Sequence, residues 1–186
     1  MFRAKASKRE RKRSRGGRII LVLGGAASGK SQAALDLAGK ARPKAFVATG
    51  QALDEEMADR IARHQASRSS DWTTAEIPVD PVAWFREHGR GYRTIVVDCL
   101  TLWLSNMRGR RGRDSVVLTK VSELLDAIRG SGARVVLVSN ELGLGLVPVA
   151  SSVRAFRDLA GRVNQQIAAE ADEVHFVVSG IPLRVK

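Results

Sequence analysis

Apolar residues fall into five dense, β-branched runs separated by stretches with helical spacing. "RIILVLGG" (18–25), "KAFVATG" (44–50), "TIVVDCL" (94–100), "RVVLVSN" (134–140) and "EVHFVVSG" (173–180) hold consecutive rather than alternate apolar positions. They therefore read as strands buried on both faces. Helical patterns lie near 30–41, 52–66, 115–129 and 151–171. Continuous apolar strands alternating with helices predict an α/β fold, a mostly parallel sheet with helices on both faces. The first, third and fourth strands end at Gly24, Asp98 and Asn140. A parallel sheet builds its site outside the carboxyl ends of its strands, so these residues should share one edge. "MRGRRGRDS" (107–115) is basic and glycine-containing, and reads as a loop and a candidate lid or substrate contact.

Length and composition add the domain plan. A chain of 186 residues with 44% hydrophobic and 27% charged content suits one globular domain, here 19–186. The net charge of +12 suggests nucleic acid, but residues 1–18 alone carry +8 and leave only +4 on the body. The excess belongs to a tail, read as a disordered extension. With aromatics at 5%, the body also offers few stacking platforms, so nucleic acid is not the expected partner. The tail lacks the apolar stretch of a secretory signal, and no apolar run approaches the ~20 residues of a membrane span. A single cysteine, Cys99, forms no internal disulfide and fits a reducing cytoplasm.

The clearest chemistry is "GGAASGKS" (24–31), which fits G-x-x-x-x-G-K-[ST] between a strand and a helix. The spacing has a mechanism. A Gly-rich backbone turns its N–H groups around phosphates, and the following helix adds its positive N-terminal end. Lys30 reaches the β- and γ-phosphates, and Ser31 supplies a hydroxyl to Mg²⁺. Asp98, closing "TIVVD", is the expected second magnesium partner.

A second stretch, "RIARHQASR" (60–68), has no evident use in a simple kinase. Leu53, Met57 and Ile61 recur every four residues and predict a buried helical stripe; Glu56, Arg60, His64 and Arg68 form an adjacent polar one. Alone, His64 is a surface histidine among charges. Its helix, however, begins just past the second strand, on the phosphate edge. Flanking guanidiniums disfavour a protonated imidazole, leaving it neutral and nucleophilic, and they can hold an attacked phosphate. His88, in a polar loop, and His175, within a strand, read as structural.

These motifs carry a resemblance. "LVLGGAASGKS", "VATGQALDEEMADRIARHQASR", "WTTAEIP", "VSNELGLGLVP" and "FRDLAGRVNQQIAAEADEVHFVVSGIPLRVK" occur in one order. Over 19–186 the chain resembles the bifunctional adenosylcobinamide kinase / adenosylcobinamide-phosphate guanylyltransferases of cobalamin biosynthesis. The resemblance implies a single-domain, RecA-like P-loop NTPase that assembles as a homotrimer. It implies phosphorylation of adenosylcobinamide by ATP or GTP with Mg²⁺, then transfer of GMP from GTP to adenosylcobinamide-phosphate through a guanylylated histidine at His64. Nucleotide contacts would fall on Gly24, Gly25, Ala26, Ala27, Ser28, Gly29, Lys30 and Ser31. Others would fall on Thr49, Gly50, Gln65, Arg68, Glu76 and Asp98. Ala27 stands where many members have Arg, and Asp98 where the acid is often Glu, which leaves the nucleotide of the kinase step open. Two other readings predict different behaviour. A plain small-molecule kinase would form no covalent nucleotide, and a RecA-like nucleic-acid-dependent NTPase would show salt-sensitive binding.

Overall fold

The computed structural model describes residues 16–66, 69–108 and 113–186. Strands β1 (Arg18–Gly24), β2 (Lys44–Ala48), β3 (Trp72–Glu76), β4 (Thr94–Asp98), β5 (Arg134–Asn140), β6 (Glu173–Val178) and β7 (Ile181–Arg184) form one sheet. The helices are α1 (Lys30–Ala38), α2 (Glu55–Ala66), α3 (Pro81–His88), α4 (Leu100–Arg108), α5 (Asp114–Ser131) and α6 (Ser151–Glu170). Strand order is β3-β2-β4-β5-β1-β6-β7, parallel except for β7, which pairs antiparallel with β6.

Alternation along the strands builds two cores. Ile19 and Leu21 face a large cluster filled by α3, α4, α5 and α6, with Phe85, Trp103, Leu124 and Leu159 all buried. Ile20 and Val22 face the other way, against Ala33, Ala34 and Ala38 of α1. Small alanines let α1 lie close on the strands, which fixes the phosphate loop at its start against the sheet edge. In register, Gly24 lies opposite Asn140 and Asp98 opposite Val138, so the three predicted strand ends do share one edge.

Several expectations needed correction. The start of β1 is not among them: it falls at Arg18 as read, one residue into the segment assigned to the tail, where Gly17 N donates to Arg129 O at 2.9 Å and Arg18 pairs with Glu173. The rest of that segment, 1–15, lies outside the described residues. Strand β2 stops at Ala48, two residues early, whereas β4 ends at Asp98, the expected strand end. Four further elements appear. β3 (WTTAE) sits at the sheet edge with two exposed threonines. β7 is exposed along its length. α3 starts on Pro81 and is capped by Asp80, whose carboxylate accepts from Ala83 N at 3.0 Å. His88 therefore ends a helix, stacked on Trp84, rather than lying in a loop. α4 and α5 absorb both ends of the 107–115 loop, and 109–112 lie outside the described residues. The Leu53 stripe is not a buried one: Leu53 precedes α2 and is 81% exposed, while Met57 and Ile61 are half-buried.

Candidate functional site

The loop after β1 is held in shape by its neighbours. Gly24 O accepts from Glu141 N at 2.9 Å, and Ser28 O from Gly180 N at 2.8 Å. A Cβ at Gly24 would lie 2.6 Å from both Ser28 Oγ and Val177 O, so no larger residue fits. Gly29 has φ 90° and a Cβ there would meet Gly180 Cα at 3.0 Å. Both demands explain glycine at these positions. Lys30 opens α1, is buried, and folds back so that Nζ donates to Gly25 O and lies 3.5 Å from Ser28 Oγ. Ser31 Oγ donates to Asp98 Oδ2 at 2.7 Å, joining the two residues expected to share a metal.

Next to this loop lies a cavity of about 830 Å³. Its phosphate end is formed by 27–31 with Asp98, and its far end by Phe46, Gly50, Met57, Ile61, Leu102 and Glu76. The volume is of nucleotide size, and an apolar body with polar groups at each end suits one. Glu76 terminates β3 beside Ala48, and its carboxylate accepts from Gln65 Nε2 at 3.1 Å. That bond ties α2 to the sheet edge. Cys99 lies in the floor, where burial pushes its thiol up to about 11, helped by the Asp98 charge. It stays protonated near neutral pH and supplies no nucleophile.

Most predicted residues thus meet around one space. Ala27, Ser28, Gly29, Lys30, Ser31, Gly50, Glu76 and Asp98 line it, while Gly24, Gly25 and Ala26 complete the loop. Position 64 lies on α2, one turn past Ile61; the helix backbone is described there and the His64 side chain is not. Arg68 lies outside the described residues. Thr49 is not among the residues lining the cavity. It is fully buried, its Oγ1 donates to Cys99 O at 2.7 Å and accepts from Cys99 N at 2.8 Å. Its N–H and C=O are also used, by Asp98 O and Asn106 Nδ2. Through these bonds Thr49 positions Asp98 and Cys99. Two positioning residues escaped the sequence reading. Asn106 bridges Thr49 O and Pro78 O at 2.9 and 2.8 Å, with no local signal. Gly180 buttresses the phosphate loop, and its signal was a Ser-Gly turn between two apolar runs. Among the described residues no group of three His, Cys, Asp or Glu forms a metal cluster, and no helix is long and apolar enough to cross a membrane.

A parallel sheet with a phosphate loop at its carboxyl edge, backed by a Ser–Asp pair, defines a P-loop nucleotide-binding protein. A KaiC-like protein from Pyrococcus horikoshii has the same fold, with a TM-score of 0.51 at 14% identity, covering 87% of this chain and 71% of that one. The sequence model of the family described as cobinamide kinase / cobinamide phosphate guanyltransferase matches residues 20–185, and the chain belongs to that family. It is 38% identical to the bifunctional adenosylcobalamin biosynthesis protein CobU of Escherichia coli (strain K12), over 90% of this chain and 99% of that protein. Identity to the corresponding protein CobP of Pseudomonas aeruginosa is 40%, over 89% and 96%.

Proposed function

We propose that this protein phosphorylates adenosylcobinamide with a nucleoside triphosphate and then converts the product to adenosylcobinamide-GDP through a guanylylated His64. The observation that carries this reading is the single cavity shared by the phosphate loop and α2, the helix bearing His64. A kinase needs only the loop side. A nucleotidyl transfer through a covalent intermediate also needs a protein nucleophile, which α2 offers at position 64.

In the first reaction the acceptor hydroxyl attacks the γ-phosphorus, the bond to the bridging oxygen breaks, and nucleoside diphosphate leaves with the hydroxyl proton lost. Lys30 and the loop N–H groups neutralise the equatorial oxygens, since this chemistry rests on positioning and electrostatics. Ser31 and Asp98 are hard oxygen donors already 2.7 Å apart, which suits Mg²⁺. When bound with the nucleotide, that ion would supply charge neutralisation on the phosphates. In the second reaction a His64 ring nitrogen attacks the α-phosphorus of GTP and pyrophosphate leaves. A phosphate oxygen of adenosylcobinamide-phosphate then attacks that phosphorus and breaks the P–N bond. The histidine divides one hard transfer into two easier ones. Glu76, an acceptor-only carboxylate at the apolar end, suits the N–H edge of guanine and would oppose the acceptor at adenine N1. The test is mass spectrometry of the corrinoid products with GTP and Mg²⁺. Both the phosphate and the GDP derivative are expected; phosphate alone would reduce the protein to a plain kinase.

A further inference from the structure

Asn140 lines the nucleotide cavity, and the chain beyond it does not. Helix α6 overruns α5. Arg162 pairs with Asp114, the first residue of α5, so residues 151–161 stand past that helix by roughly 16 Å. Asn164 Nδ2 donates to Asn140 O at 3.1 Å, placing this level at the sheet's carboxyl edge. The connection 141–150 therefore climbs beside the phosphate loop as a wall.

That wall is fixed in place yet shows its apolar side chains to water. Glu141 N holds Gly24 O, Gly143 N donates to Glu141 Oε1 at 2.6 Å, and Arg154 Nη1 donates to Pro148 O and Val149 O at 2.9 and 2.5 Å. Arg108 lies over the Phe156 ring at 5.8 Å, tying α4 to the same structure. Against this, Leu144 is 78% exposed, Leu146 97%, Val147 68% and Val149 97%. None of them lines the nucleotide cavity. An ordered apolar patch of this kind marks a binding surface.

We propose that Leu144, Leu146, Val147 and Val149 form the surface that holds the corrin macrocycle of the acceptor, an inference resting on the function proposed above. Three observations select this occupant. The segment that carries these residues starts at the phosphate loop, where Glu141 N donates to Gly24 O, so a surface built on it adjoins the phosphate side of the site. The nucleotide cavity extends the other way, toward α1 and α2. In-line transfer brings the acceptor to the γ-phosphorus opposite the leaving group, away from the space the nucleotide fills. A macrocycle fringed with methyl groups also needs a broad open face rather than the remainder of a cavity sized for one nucleotide.

The test compares the full chain with Leu146→Ser/Val149→Ser and, as a control on a distant exposed residue, Val185→Ser. Adenosylcobinamide binding is read by equilibrium dialysis, GTP binding by a fluorescent analogue, and assembly by sedimentation velocity. The double variant should weaken corrinoid binding by about tenfold or more, as expected for losing roughly two buried aliphatic contacts. GTP binding, sedimentation and the control should match the parent. Unchanged corrinoid binding would overturn the proposal. So would a changed sedimentation coefficient, which would make the patch a contact between copies of the chain. A parent protein that binds GTP but no corrinoid would instead refute the proposed function itself.

Discussion

The phosphate loop and helix α2 bound the same cavity, and they are held in opposite ways. The loop is braced by Glu141 on one side and Gly180 on the other, and α1 behind it packs Ala33, Ala34 and Ala38 into the sheet. Among the described side chains of α2 only Met57 and Ile61 are partly buried, and the Gln65–Glu76 bond ties the helix to the edge, while Leu53 ahead of it stands in solvent. Groups that stabilise developing phosphate charge act best when fixed in advance. A wall with few buried contacts has low local stability, and low-stability elements are where conformational adjustment is concentrated. The contrast teaches that phosphate recognition here is built into the core, whereas the helix carrying the proposed nucleophile packs on it through few described side chains.

The strongest way to break this contrast is Lys30→Ala. Loss of the loop cation should cut both reactions, with kcat/KM for the kinase step falling on the order of 10³-fold. An intact kinase would remove the loop from the mechanism. A paired substitution sharpens the comparison by stability. Ile20→Ala, in the sheet behind α1, should cost about 3 kcal/mol in urea unfolding, and Ile61→Ala on α2 about 1 kcal/mol or less. Equal costs would mean that α2 is as firmly built as the core.

The smallest effect lies far from both walls, at the start of β6. Burial pushes Glu173 up, but the His175 hydrogen bond and the Arg18 and Arg184 charges outweigh it and leave its carboxyl below the ordinary value of 4.5. A folded value below the unfolded one means stabilisation that is complete above 4.5 and is lost as pH falls through the folded value. The thermal midpoint should therefore decline in acid, less steeply for Glu173→Gln than for the parent, with GTP affinity at neutral pH the same in both. Identical acid profiles would rule out the Glu173 contribution.

What could be read from the chain followed burial. Five strands announced themselves because strands covered on both faces must be apolar throughout, and the 24–31 loop because its chemistry tolerates few sequences. β3 and β7 lie at the edges of the sheet, where Thr73 and Thr74 are exposed and β7 is exposed throughout, so composition gave little sign of them. α4 was hidden because the apolar residues of "CLTLWL" resume directly after Asp98, with no loop between strand and helix to mark a new element. Thr49 sits at the expected edge, but its bonds to Cys99, Asp98 and Asn106 join distant parts of the chain and leave no local signal. The wall at 144–149 was part of a motif in the sequence, but its exposure depends on how far α6 outruns α5, which spacing alone does not encode.

The most direct measurement is incubation with α-labelled GTP and Mg²⁺, followed by denaturing electrophoresis of the parent and His64→Asn. The account predicts label retained on the parent, stable to alkali, released by acid and missing from the variant, which keeps much of its kinase activity. A folded, GTP-binding parent that takes up no label would contradict the guanylyl-histidine.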